Sequence, residues 1–192
     1  MGTTQPIRRL EHVQKLKYYF LKRNEIRNYT MVTLGLNTAL HISDILNLRW
    51  KDVYNFDQNL YYHHVSVLEK KTKKNNMFVL NKNDIEALEL LKETMSYIRP
   101  DFYIIKSRCG FNKPLGRTRA YTIIKEAAQE LDIEGSISCH SLRKTFGYQA
   151  WKKGAQPALL MAIYNHFSIE ITKRYLSIDQ DDKDEAFLNI NL

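Results

Sequence analysis

Residues 138–145 read SCHSLRKT and residues 164–176 read YNHFSIEITKRYL. In the first stretch His140 and Arg143 stand three apart, so on a helix they share a face. A proton-transfer group beside a fixed cation suits phosphoryl chemistry: the guanidinium fork holds two phosphate oxygens and the imidazole moves a proton. In the second stretch His166 precedes a helix that Ser168 is placed to cap, and Tyr175 lies two turns into it. A phenol is a weak nucleophile at its free pKa of ~10 and needs cations and a proton acceptor beside it. Each stretch taken alone has a plainer reading. His-x-x-Arg fits a solvated helix face, and Tyr175 is one of twelve tyrosines.

The sequence around these stretches is mainly helical in its periodicity. Leu10, Val13, Leu16, Tyr19 and Phe20 recur at helical spacing over residues 6–23, and Pro6 suits a helix start. Residues 26–40 read as a second, largely buried helix, and 42–49 continue helically with Ser43 or Asp44 at the cap. The period then changes. LYYHHVSVL at 60–68 and NMFVL at 76–80 are aromatic and β-branched, as strands are, and EKKTKKN between them makes a basic hairpin tip. Helices follow at 83–98 with Asn83 as N-cap, at 117–131, 141–153 and 158–164, and in the last stretch, IEITKRYL; DFYIIKS near 101 reads as a short strand. The fold class expected is α+β: mainly helical with a small antiparallel sheet.

The chain has 192 residues, enough for one domain with a sizeable core, and its 44% hydrophobic and 11% aromatic content excludes global disorder. Two distant cysteines, Cys109 and Cys139, make neither a disulfide framework nor a paired zinc knuckle, which suits a reducing, intracellular compartment. No apolar run approaches the ~20 residues of a membrane span, and the N-terminus lacks a signal-peptide core. Net charge is +8, unevenly spread. DQDDKDE at 179–185 holds five acids, which leaves residues 1–178 with 28 basic against 16 acidic side chains. A basic body facing an acidic tail points to a polyanionic partner.

Order and spacing then decide between readings. A hairpin lysine, His-x-x-Arg, a histidine, and a tyrosine nine residues after it resemble the tyrosine recombinases, the phage-integrase family. TALHISDILNLRWKDV at 38–53 resembles that family's first box, HSLRKTFGYQAWKKG its second, and LLMAIYNHFSIEITKRYLSI its third, with Tyr-Asn where Leu-Gly is common. The resemblance covers about residues 10–180 in the family's order. It implies a catalytic domain over 1–178 and a tail over 179–192 that docks either in cis or on a neighbouring protomer.

By that resemblance Tyr175 is the nucleophile that forms a 3′-phosphotyrosine, Arg143 clamps the phosphate, His140 is the acid/base group and His166 donates to the same phosphate. Lys71, with Lys73 as its alternative, protonates the leaving oxygen, and Asp44 orients its neighbours. Lys70, Lys73, Lys74, Arg117, Arg119 and Lys144 are the expected DNA contacts. The implied partner is double-stranded DNA, bound by a homo-oligomer (dimer or tetramer) in a bacterial or phage cytoplasm, with no metal, cofactor, membrane or small-molecule substrate. One position departs. His41 stands where the family has the second clamp arginine, and an imidazole lacks a permanently charged planar fork. The chain is therefore expected to be a slow natural recombinase, a recombinase-derived DNA binder without turnover, or an enzyme arrested by an introduced Arg→His change. The second departure is length: nothing before the first box is long enough for an N-terminal DNA-clamping domain, as in an excised catalytic fragment or the short fimbrial-switch recombinases.

Overall fold

The computed structural model describes residues 4–68, 75–178, 184 and 187–190. The hairpin tip with Lys70, Lys71, Lys73 and Lys74, and most of the acidic and apolar tail, lie outside these residues.

The body is built around one helix. Helix α1 (Leu10–Lys22) buries Val13, Leu16 and Phe20, one stripe at helical spacing. Helix α2 (Ile26–Asn37) is buried from Asn28 to Leu36, on every face. A helix without a polar face has to be central, and α2 is packed by α1, by α5 (Lys82–Glu93) and by α7 (Cys139–Lys152). Two short helices, α3 (Ile42–Ile45) and α4 (Trp50–Val53), follow it. Neither Ser43 nor Asp44 caps α3; His41 holds that position with an extended backbone. Helix α6 (Arg117–Glu130) closes the body against α1 and α7.

The expected strand at 60–68 is two strands. β1 (Tyr54–Asn55) pairs antiparallel with β2 (Leu60–Tyr61), and β3 (His64–Leu68) pairs antiparallel with β4 (Asn75–Val79) in the register Val65 to Phe78. The chain changes partner at Tyr62, whose N–H goes to the Val53 carbonyl at 2.9 Å. DFYIIKS is not a strand. Its backbone groups go singly to Leu48, Trp50, Lys113 and Leu115, with isolated bridges at Tyr103 and Lys106, so no ladder forms. Helix α5 starts two residues earlier than expected. Asn81, not Asn83, is the N-cap: its Oδ1 accepts from the Asp84 N–H at 3.1 Å while Asp84 Oδ2 accepts from the Asn81 N–H at 3.2 Å.

Helices α8 (Pro157–Tyr164) and α9 (Ile169–Leu176) pack on each other and on α7. They make a separate small core of Ala39, Tyr148, Leu160, Tyr164, Leu176 and Ile178. The N-terminal segment straps this unit. Ile7 N–H donates to Thr145 Oγ1 at 2.8 Å, Gln149 Nε2 to the Arg8 carbonyl at 2.7 Å, and Arg8 reaches the Ser177 carbonyl at 3.3 Å.

Candidate active site

Four local devices bring the site together. On α7, Arg143 points inward and is 3% exposed, whereas His140 at the helix start is exposed. The Arg143 guanidinium donates through Nη1 to the Ala39 carbonyl. Ala39 holds a left-handed φ of 55° two residues before His41, which turns that carbonyl toward α7. Helix α8 ends at Asn165 with φ 55°, a conformation asparagine tolerates better than most residues. The reversal tucks His166 back against α8 and α9. Ser168 then caps α9, its Oγ accepting from the Ile171 N–H at 3.2 Å.

These turns place Arg143, His166 and Tyr175 around one point. The imidazole of His166 lies edge-on to the Tyr175 ring with centroids 5.2 Å apart. Its Nδ1 is 3.0 Å from Thr172 Oγ1, a hydroxyl that also lies 3.2 Å from the Ser168 carbonyl. That contact engages Nδ1 and leaves Nε2 as the ring nitrogen available to a substrate. Burial holds the His166 pKa below the ordinary histidine value, and the nearby Arg143 charge pushes the same way. The Tyr175 oxygen is enclosed and has no hydrogen-bond partner among the described residues. Burial raises its pKa and Arg143 opposes that rise. The enclosed phenol thus lies beside a guanidinium whose charge opposes the cost of ionising it.

The second half of the site is a cleft lined by His41, Ser43, Asn47, Arg117 and His140. The rings of His41 and His140 meet edge to face at 6.0 Å. Arg117, expected to touch DNA, thus opens onto the same cleft as the two histidines. Arg119 is exposed on α6, near Arg27, whose guanidinium is depressed by burial and by the charges of Arg108 and Arg119. Asp44 is buried at 2% exposure beside the first-box residues.

Lys144 sits elsewhere than expected. It is 7% exposed, its ammonium donates to the Thr4 carbonyl at 2.6 Å, and it lies 5.0 Å from the centre of the Tyr175 ring. In this arrangement the N-terminal strap accepts one hydrogen bond from its ammonium. One residue further along the helix, about 100° around its axis, Lys144 leaves the Arg143 face and lies under the N-terminal segment, which spacing within the second box does not reveal. Tyr164 was also missed by the sequence reading, although the unusual Tyr-Asn pair marked its position. Among the described residues no three His, Cys, Asp or Glu side chains come together as a metal site requires.

The profile described as "Phage integrase family" matches residues 8–181. The chain is 41% identical over 191 residues to the probable integrase/recombinase YoeC of Bacillus subtilis (strain 168), covering 97% of each. It is 26% identical over 164 residues to the tyrosine recombinase XerD of Staphylococcus saprophyticus, covering 83% of the chain and 52% of that protein. The type 1 fimbriae regulatory protein FimE of Escherichia coli (strain K12) is 26% identical over 153 residues, 78% of the chain and 73% of FimE. The chain therefore spans nearly all of YoeC but about half of XerD. Among solved structures, XerA recombinase superposes with a TM-score of 0.74 at 17% identity, over 100% of the chain and 67% of XerA. XerH bound to its palindromic difH substrate, a post-cleavage complex, superposes with 0.67 at 18% identity, over 92% and 50%.

Proposed function

Because the chain belongs to the phage integrase family of tyrosine recombinases, we propose that it cleaves and rejoins double-stranded DNA through Tyr175. The observation that carries the reading is the enclosed Tyr175 oxygen set beside Arg143 and His166. In the forward step the Tyr175 oxygen attacks phosphorus, the bond from phosphorus to the 5′ oxygen breaks, and the phenol proton passes to His140. The leaving 5′ oxygen takes a proton and departs as an alcohol; Lys71, outside the described residues, is its proposed donor. Arg143 and His166 hold the non-bridging oxygens while charge builds on them. The phosphotyrosine conserves the energy of the broken bond, so the reverse step reseals DNA without a nucleotide cofactor.

His41 sets the rate. It occupies the mouth of the cleft opposite His140 and supplies no permanent charge, so the phosphate clamp is half built. The reading assigns catalysis to residues 1–178 and assembly on DNA, as a dimer or tetramer, to the tail from 179 to 192. It places the protein in the cytoplasm, beside the DNA on which it acts. Among the described residues no helix is long and apolar enough to cross a membrane.

The test is a nicked suicide substrate, from which the short fragment bearing the free 5′-hydroxyl diffuses away. The protein should accumulate a covalent adduct on this DNA, and Tyr175→Phe should abolish it. An adduct of undiminished yield in Tyr175→Phe removes Tyr175 as nucleophile. Sequence-selective binding with no adduct, in the protein or in His41→Arg, makes it a DNA binder without turnover.

A further inference from the structure

Tyr164 touches three of the proposed catalytic side chains at once. Its ring lies under the Arg143 guanidinium, 4.8 Å from Cζ to the ring centre. It stacks on the His166 imidazole with centroids 5.5 Å apart and an interplanar angle of 22°. It leans on the Tyr175 ring at 5.3 Å and 55°. Its hydroxyl donates to the Arg143 carbonyl at 2.7 Å, tying the last turn of α8 to the segment of α7 that carries the clamp.

The seat for this phenol is built into α7. Gly147 is four residues after Arg143, and a Cβ there would stand 2.5 Å from the Tyr164 hydroxyl oxygen. Only a residue without a side chain lets the hydroxyl reach the Arg143 carbonyl. An aliphatic side chain at 164 would fill much of the same volume. It would offer neither a π face to the guanidinium nor a donor to the carbonyl. Burial lifts the Tyr164 pKa well above the ordinary tyrosine value, so this phenol stays protonated and does not compete with Tyr175.

Arg143 is thus fixed from two sides: Nη1 by the Ala39 carbonyl and its plane by the Tyr164 ring. We propose that Tyr164 is a positioning residue of this active site, holding the Arg143 fork, the His166 ring and the Tyr175 ring in one register. An entering phosphate then meets donors that are already aligned. The inference rests on the reading that Arg143, His166 and Tyr175 act on a DNA phosphodiester.

Core packing is the competing account, because Tyr164 is 4% exposed and belongs to the small core. Two variants separate the accounts on the suicide substrate, with adduct formation measured in single turnover at saturating DNA, alongside the dissociation constant and the melting temperature. Tyr164→Phe keeps the ring and loses one hydrogen bond; cleavage should slow about threefold to tenfold. Tyr164→Leu loses ring and hydroxyl together; cleavage should slow about a hundredfold, the scale of a misplacement near 1 Å. DNA affinity should stay within about twofold in both. A graded loss in rate, with Phe between the parent and Leu and binding unchanged, supports positioning. Parent rates in both variants overturn it, as does a loss that appears in melting temperature alone. If Tyr164→Leu does not fold, Tyr164→Phe decides: a parent rate overturns the proposal. Absence of any adduct in protein with Tyr164 intact removes the underlying functional reading instead, and this proposal with it.

Discussion

Replacing His41 by arginine should accelerate DNA cleavage by about a hundredfold to a thousandfold. Arg143 commits Nη1 to the Ala39 carbonyl and its face to Tyr164, so its fork does not offer every donor to the phosphate. Two non-bridging oxygens share the charge of the transition state, and a second permanent cation is required on the side where His41 stands. A unit charge about 4 Å from that phosphate contributes ~4 kcal/mol at an effective dielectric of ~20. A single lost oxyanion donor costs ~3–4 kcal/mol, or ~10²–10³ in rate. The two figures agree on the scale. The substitution needs no repacking, because His41 is half-exposed at the edge of an open cleft with Ser43, Asn47 and Arg117. Stability should move by less than about 0.5 kcal/mol. The assay is single-turnover adduct formation on the suicide substrate at saturating protein, with His41→Lys in parallel. Lysine should recover less than arginine, since it brings charge without the planar fork. If His41→Arg cleaves no faster than the parent while DNA is fully bound, the missing charge does not limit the reaction and the clamp argument fails.

Two further predictions concern stability. Burial raises the Asp84 carboxyl from 3.8 to about 6, against hydrogen bonds from Asn37 and the Asn81 backbone that lower it. The folded chain therefore holds a proton there that the unfolded chain has released, so this group's contribution is present below about pH 4 and is lost as pH rises through about 6. At ~1.4 kcal/mol per unit, the stability of Asp84→Asn relative to the parent should rise by up to about 3 kcal/mol across that window in urea unfolding. A difference that does not change with pH refutes it. Asn165, at φ 55°, should accept glycine with little change, whereas Asn165→Val should cost about 1–2 kcal/mol and slow cleavage by loosening His166. Unfolding midpoints for Asn165→Val equal to the parent's would show that this turn carries no strain.

The helices were legible because their apolar stripes are regular, and the family because the order and spacing of its boxes survive whatever the tertiary structure does with intervening residues. Ser168 was read correctly as a cap, since Ser before an amphipathic run has one local use. Asn81 and Asn83 were harder to tell apart. The deciding feature is Asp84 three residues after Asn81, which completes the reciprocal cap. The break at Tyr62 depends on the distant Val53 carbonyl, and the fate of DFYIIKS on four separate neighbours, so neither has a local signature. Lys144 was misread because a charge in a basic motif looks solvent-facing until the N-terminal strap covers it. Tyr164 was passed over for a related reason. Its importance comes from Gly147 and Arg143 on another helix, and the Tyr-Asn departure marks the position without revealing that role.

The division into a large core and a small one has a thermal consequence. Tyr164 and Leu176 belong to the six-residue cluster, whereas Leu34 and Trp50 sit in the main one. With little apolar area holding α8 and α9 down, that pair is the part of the molecule that opens first on warming, while the body stays shut. The ceiling on catalysis then lies below the melting point, and a heated sample falls silent on DNA long before its helices disappear.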